Sequence, residues 1–218
     1  MRFELTTSTL ARLRSTPELR PHRDKTFEFR AGGYIRHFAN LASGYAGKQI
    51  IWGIMSMPTN PEELFQRLDE LGIVHKTTHH DALFTVEQSQ EIRGKIPGTH
   101  NKNLFLRDKK KQNWLVCTLE DKDIDLKSLA GLIGSARLSF GSAFRLEESL
   151  GVKPGSVTAF ALINDPECKV RVVLDRAMLE HKQVNFHPLV NTMTTSISSQ
   201  DLLRFVAACG HVPQTPTL

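Results

Sequence analysis

Apolar and polar positions follow two regimes along this chain of 218 residues. Over residues 1–54, Arg, Thr, Gly and aromatic residues are scattered with no sustained period of 3.6 or 2, and glycines at 32, 33, 44 and 47 interrupt the pattern. From Asn60 onward the order is clear. Asn60-Pro61-Glu62-Glu63 supplies a cap, a proline at the first helical position and a reciprocal carboxylate. Leu64, Phe65, Leu68 and Leu71 then share one face of a predicted helix that Gly72 ends. Residues 73–78 are rich in β-branched side chains and predict a strand. Thr85 with Gln88 predicts a short capped helix, stopped by Gly94 and Pro97. Residues 103–107 and 114–119 predict a hairpin around the turn Asp108-Lys109-Lys110-Lys111-Gln112. Helices are expected over 125–132 and 142–150, the second closed by Gly151. The unbroken apolar run 157–163 predicts a strand ended by Asn164-Asp165-Pro166, with further strands at 170–174, 184–186 and 193–197. Ser199 is expected to cap a last helix whose apolar face is Leu202, Leu203, Val206 and Cys209, stopped by Gly210. Strands and helices mix without strict β-α-β alternation, so the fold class is α+β: one domain with a mixed sheet flanked by helices.

Composition changes this picture little. A hydrophobic fraction of 40% against 23% charged residues is enough to bury a core and excludes a wholly disordered or collagen-like chain. No apolar run reaches the ~18–20 residues of a membrane span. Cys117, Cys168 and Cys209 lie far apart with no C-x-x-C pair, which argues against a disulfide scaffold or thiolate zinc site and for a reducing, cytoplasmic setting.

Charge changes it more. The net charge of +5 is confined to residues 1–54, where nine Lys and Arg meet four Asp and Glu, while residues 55–218 carry nineteen of each. The pI of the whole chain therefore says nothing about nucleic-acid binding by the ordered part, and local clusters must carry any such case. Residues 1–54 lack the apolar core of a secretory signal, and Glu4, Glu18, Asp24 and Glu28 weaken a mitochondrial presequence. They are expected to be a disordered extension or the product of a start assigned upstream of Met55 or Met57.

Generic catalytic signatures are missing from the sequence: there is no G-x-S-x-G elbow and no H-E-x-x-H. His75, His79, His80 and Asp81 read as a polar strand end rather than as metal ligands, so no metal and no cofactor is expected. Lys109, Lys110 and Lys111 fit a solvated turn and a phosphate contact equally well. Three polar segments abut apolar runs: Gly98-Thr99-His100-Asn101-Lys102-Asn103, Gly155-Ser156-Val157-Thr158-Ala159, and Asn185-Phe186-His187-Pro188 continuing to Thr194-Thr195. A glycine loop can present backbone N–H groups to a carbonyl or oxyanion, and a lysine at a strand entrance can offer charge to the same oxygen.

These segments, with Phe84-Thr85-Val86, Lys102 to Lys110, and Phe160 to Asp165, resemble the YbaK-like family of aminoacyl-tRNA deacylases. That family is also called the prolyl-tRNA synthetase associated domain, and the match is to the branch that removes alanine from mischarged proline tRNA. It covers residues 60–210. The resemblance implies an editing domain over residues 55–218 with a partly barrel-like sheet. It also implies a hydrolase acting on the acceptor end of tRNA(Pro), with prolyl-tRNA synthetase as a possible partner; the chain itself is expected to be monomeric. Lys102 matches the family's essential lysine, expected to hold the substrate ester, and Asn103 and His187 match residues that position the aminoacyl group. Gly155, Thr158 and Ala159 fall in the family's G-x-x-x-P loop, and the 85–94 helix matches a cover over the site. Arg107 and Arg137 match basic positions near the acceptor end. Ala159 stands where the pattern has proline, which leaves the loop less constrained and puts selection by side-chain size in question.

The chemistry implied needs no metal and no protein nucleophile, because an aminoacyl ester is already activated. Water attacks the carbonyl with help from the ribose hydroxyl, and a small pocket acts as a second sieve where one methylene is worth only ~1–3 kcal/mol. A cysteine- or serine-specific deacylase, and a non-catalytic binder of tRNA or synthetase, are the competing expectations.

Overall fold

In the computed structural model, residues 27–31, 34–38, 58–81 and 96–218 are described, the first two stretches as backbone only. The chain divides into two compact units, Met1–Met55 and Ser56–Leu218. The first contains an antiparallel pair, β1 (Phe27–Ala31) and β2 (Tyr34–Phe38), with Ala31 opposite Tyr34. The predicted 85–94 helix lies outside the described residues.

The second unit opens with α1 (Pro61–Glu70). Asn60 Oδ1 accepts from Glu63 N at 2.9 Å and the Glu63 carboxylate accepts from Asn60 N at 3.1 Å, the reciprocal cap expected from the sequence. Leu64 and Leu68 are fully buried. The next strand, β3 (Lys76–His79), starts later than expected, because Ile73 N bonds Leu68 O and folds Ile73 back into the core. β4 (Thr99–Asp108) and β5 (Asn113–Leu119) form the hairpin, with β4 four residues longer at its polar start than the apolar run indicated. Asp125 and Ser142 cap α2 (Leu126–Ile133) and α3 (Ala143–Leu150), and Gly134 and Gly151 close them in the left-handed conformation. Between these helices lies a three-residue strand that the pattern did not reveal, β6 (Leu138–Phe140).

The run 157–163 is not a strand. Ala159–Asn164 forms a 3-10 helix, started by Thr158, whose hydroxyl accepts from Phe160 N. Ala159, Phe160, Ala161 and Leu162 are all buried, and a run buried on every side has no periodicity to distinguish strand from helix. β7 (Val170–Leu174), the one-turn α4 (Arg176–Leu179), β8 (Gln183–Phe186) and β9 (Met193–Ser198) follow. The last helix, α5 (Ser199–Ala208), is capped by Ser198 rather than Ser199, and Phe205, not Leu203, completes its buried face.

Seven strands form one mixed sheet in the order β3-β9-β8-β4-β5-β7, with β6 on the C-terminal half of β4 beyond β8. Among the described residues β3 and β7 do not meet, so the sheet is not closed. α1, α3, α5 and the 3-10 helix cover one face, where Phe160 meets Phe186 and Phe205 edge-on at 6.0 and 5.3 Å. Among the described residues, α2 covers only part of the other, over Leu106, Trp114, Val116 and Val173. No helix among the described residues is long and apolar enough to cross a membrane.

Candidate functional site

The part of the second face that no described helix covers is polar, and strand register decides which residues lie there. Side chains alternate along a strand, and residues directly opposite one another share a face. Leu106 and Val116 belong to the α2 side, so Lys102, His100 and Thr118 lie on that side too, with Lys102 opposite Thr118. Asn185 sits opposite both His100 on β4 and Ser196 on β9. Glu120, just past β5, bonds its N–H to His100 O at 3.1 Å. Gly98, Thr99, His100, Lys102, Glu120, Asp121 and His181 line a cleft of about 780 Å³.

Beneath this face lies a buried anion. Asp175 Oδ2 accepts from Thr118 Oγ1 at 2.7 Å and from Lys122 Nζ at 3.2 Å, and Oδ1 accepts from Ala177 N and Leu218 N at 3.2 Å each. Burial pushes the carboxyl up, but the hydrogen bonds outweigh it and hold it below the usual carboxylate range.

His187 follows β8 by one residue. Its Nδ1 lies 3.0 Å from Met193 O, and because a carbonyl only accepts, Nδ1 carries the proton and a neutral ring keeps Nε2 as an acceptor. Burial holds the imidazole below its usual pKa. The Met193 carbonyl and the Glu120 charge oppose that shift, and His80 and His100 reinforce it. His80 is 6.3 Å away ring to ring and is held by Thr194 Oγ1 at 2.9 Å and Asp81 O at 2.8 Å. The turn after His187 is tight: Leu189, a buried non-glycine residue, has φ +69° and bonds its N–H to His187 O at 3.0 Å.

The structure thus brings Lys102 and His187 to one face with His100 and Glu120. Asn103 points the other way, opposite Cys117, and its buried Oδ1 has no hydrogen-bond partner among the described residues. Gly155 is exposed, with φ +89°, and a Cβ there would stand 3.8 Å from Asn191 Nδ2, which places its loop beside the 187–192 turn. Thr158 and Ala159 are fully buried in the start of the 3-10 helix. Arg107 and Arg137 lie at the far end of β4: Arg107 Nη1 reaches Asn113 Oδ1 at 3.4 Å, and Arg137 O accepts from Lys109 N. Of the other histidines singled out, His75 stacks on Phe65 at 5.3 Å and lies 3.3 Å from Asp69, and His79 is exposed. His100, Thr118, Glu120 and Asp175 were not singled out as site residues. The available signal was the polar alternation of His100 and Lys102.

Comparison with known proteins agrees with this architecture. The aminoacyl-tRNA editing domain family matches residues 80–205. The prolyl-tRNA synthetase associated domain-containing protein 1 of Mus musculus is 42% identical over 156 residues, which cover 69% of this chain and 92% of that protein. The prolyl-tRNA editing protein ProX of Acetoanaerobium sticklandii is 38% identical over 151 residues, 69% of this chain and 92% of that protein. Among solved structures, a candidate trans-editing enzyme for prolyl-tRNA synthetase superposes with a TM-score of 0.54 at 17% identity, covering 72% of this chain and 96% of that one. The hypothetical protein APE2540 gives 0.57 at 18% identity, over 71% and 97%. Fold, matched span and relatives coincide on one assignment: the chain belongs to the aminoacyl-tRNA editing domain family.

Proposed function

We propose that this chain is a trans-editing deacylase that hydrolyses the ester of alanine mischarged on tRNA(Pro). The observation that carries the proposal is that Lys102 and His187 lie on one polar sheet face, among the His100 ring and hydroxyl, amide and carboxylate groups. The Lys102 ammonium stabilises the oxygen of the ester carbonyl as it gains charge, and the exposed backbone at Gly155 adds N–H donors to the same end of the site. His187, neutral near pH 7 with Nδ1 committed to Met193 O, offers Nε2 to hold the attacking water or the ribose hydroxyl. Attack forms a tetrahedral centre whose negative oxygen faces Lys102. Collapse breaks the ester C–O bond, and the ribose oxygen leaves with a proton. Asn103 acts from the opposite face, shaping the strand entrance rather than touching the same oxygen.

The test is deacylation of Ala-, Cys-, Ser- and Pro-tRNA(Pro) by the full chain beside Lys102→Ala. Loss of alanine alone, slowed about 10²–10³-fold by the substitution, is the expected result. Loss of cysteine or serine instead moves the specificity and keeps the mechanism. A folded chain that hydrolyses none of the four overturns the enzyme reading.

A further inference from the structure

Phe140 and Phe144 are the exposed phenylalanines among the described residues, at 68% and 72% exposure. Phe140 ends β6 directly opposite Leu106 of β4, so it stands on the same sheet face as Lys102, four residues or about 13 Å along the strand. Its neighbours are basic. Lys109 N bonds Arg137 O, three residues before Phe140, and the turn after β4 exposes Lys109, Lys110 and Lys111, whereas Arg107, opposite Ser139, belongs to the other face. The carboxylate within this turn, Asp108, is buried and accepts from Gln112 N at 2.9 Å. The remainder of the unit has no such excess, since residues 55–218 carry equal numbers of basic and acidic side chains. An exposed aromatic ring beside clustered cations has the chemistry of a single-strand platform, where a base stacks on the ring and phosphates meet the charges.

We infer that Phe140, flanked by Arg137 and the lysine hairpin, is a stacking platform for the unpaired nucleotides just before the esterified adenosine of tRNA, an assignment that rests on the deacylase reading. The terminal ester lies at Lys102, the unpaired bases follow the edge of β4 between β8, which pairs only Thr99 and His100, and β6, which pairs from Leu106 on, one base stacks on Phe140, and the backbone beyond reaches Lys109, Lys110 and Lys111.

The test measures binding rather than hydrolysis, so it is independent of catalysis. Fluorescence anisotropy compares uncharged tRNA(Pro) with the same tRNA trimmed of its unpaired 3′ nucleotides, for the full chain, Phe140→Ala, Phe140→Trp and the triple Lys109, Lys110, Lys111→Ala variant. Phe140→Ala is expected to weaken binding of intact tRNA about 5- to 100-fold and to leave trimmed tRNA unchanged, with Phe140→Trp restoring affinity. The triple variant is expected to weaken both RNAs and flatten the logarithmic salt slope by about 2 to 3. Equal binding of intact tRNA by Phe140→Ala and the unaltered chain overturns the platform, as does an equal loss for both RNAs. Tight binding without deacylation supports the platform and overturns the enzyme reading; deacylation with no preference for intact tRNA does the reverse.

Discussion

The two faces of the central sheet are drawn alternately from the same strands, yet they end in different states. On one, Phe105, Leu115, Cys117, Phe186 and Ile197, from four strands, join a single buried apolar cluster that is sealed by three helices and the 3-10 helix. On the other, the apolar stretch of Leu106, Trp114, Val116 and Val173 stops where α2 stops, and His100, Lys102, Thr118, Asn185 and Thr194 take over. The continuous face holds the domain together. The interrupted one frees a row of polar groups whose spacing is set by a backbone held rigid from behind. Neighbouring residues on one strand can therefore serve opposite purposes, as Lys102 and Asn103 do.

The contrast is broken most strongly by exchanging where damage is done. Phe160→Ala removes a fully buried ring that touches Phe186 and Phe205, and is expected to cost about 3–5 kcal/mol in urea unfolding. Lys102→Ala, on the open face, is expected to change stability by no more than about 0.5 kcal/mol while removing most deacylation. A Lys102 variant as unstable as Phe160→Ala would mean that the polar row is part of the core after all.

Electrostatics within the open face gives a subtler separation. His187 must be neutral to accept a proton, and burial holds its pKa below the usual imidazole value, so activity is expected to persist into mildly acid pH and fall as pH drops through that lowered value. Two substitutions move this limb in opposite directions. Removing the Glu120 charge, which favours the protonated ring, shifts the fall to lower pH. Removing His80, which disfavours it, shifts the fall to higher pH. A pH–rate profile that ignores both substitutions would exclude His187 from proton handling.

Local signals were legible in the sequence, and pairings were not. The Asn60–Glu63 cap, the Gly151 stop and the basic hairpin turn depend on residues close in the chain, and each is present as expected. The run 157–163 predicts a strand yet holds a 3-10 helix, because full burial removes the alternation that tells the two apart. Apolar character alone suggests Leu203 for the buried face of α5, whereas the i, i+3, i+4 spacing from Leu202 selects Phe205 and Val206. In the first unit, Phe27-Glu28-Phe29-Arg30 does alternate, but over too few residues to stand out. The site divides the same way. Lys102 and His187 could be found from motifs, while Glu120 joins them only once β5 is known to bring it against His100. The opposed directions of Lys102 and Asn103 follow from strand geometry and needed only the knowledge that β4 begins at Thr99.

The smallest expected effect concerns Ala159, where the resemblance calls for proline. Thr158 has φ −155° and ψ 153°, the extended conformation that a following proline requires, and Ala159 is the first residue of the 3-10 helix, where a proline ring is ordinarily accommodated. Fixing φ in the unfolded chain favours Ala159→Pro by about 0.4–1 kcal/mol, and the extra ring carbons in a fully buried position oppose it. The net change in stability is therefore expected to stay within about 1 kcal/mol. Ala159 is buried behind the loop instead of lining the cleft, so the ratio of alanine to cysteine deacylation is expected to be the same in Ala159→Pro and the unaltered chain. A change in that ratio without a change in stability would show that the 155–159 loop selects the amino acid through its backbone path, and would move specificity from the polar face to the glycine loop.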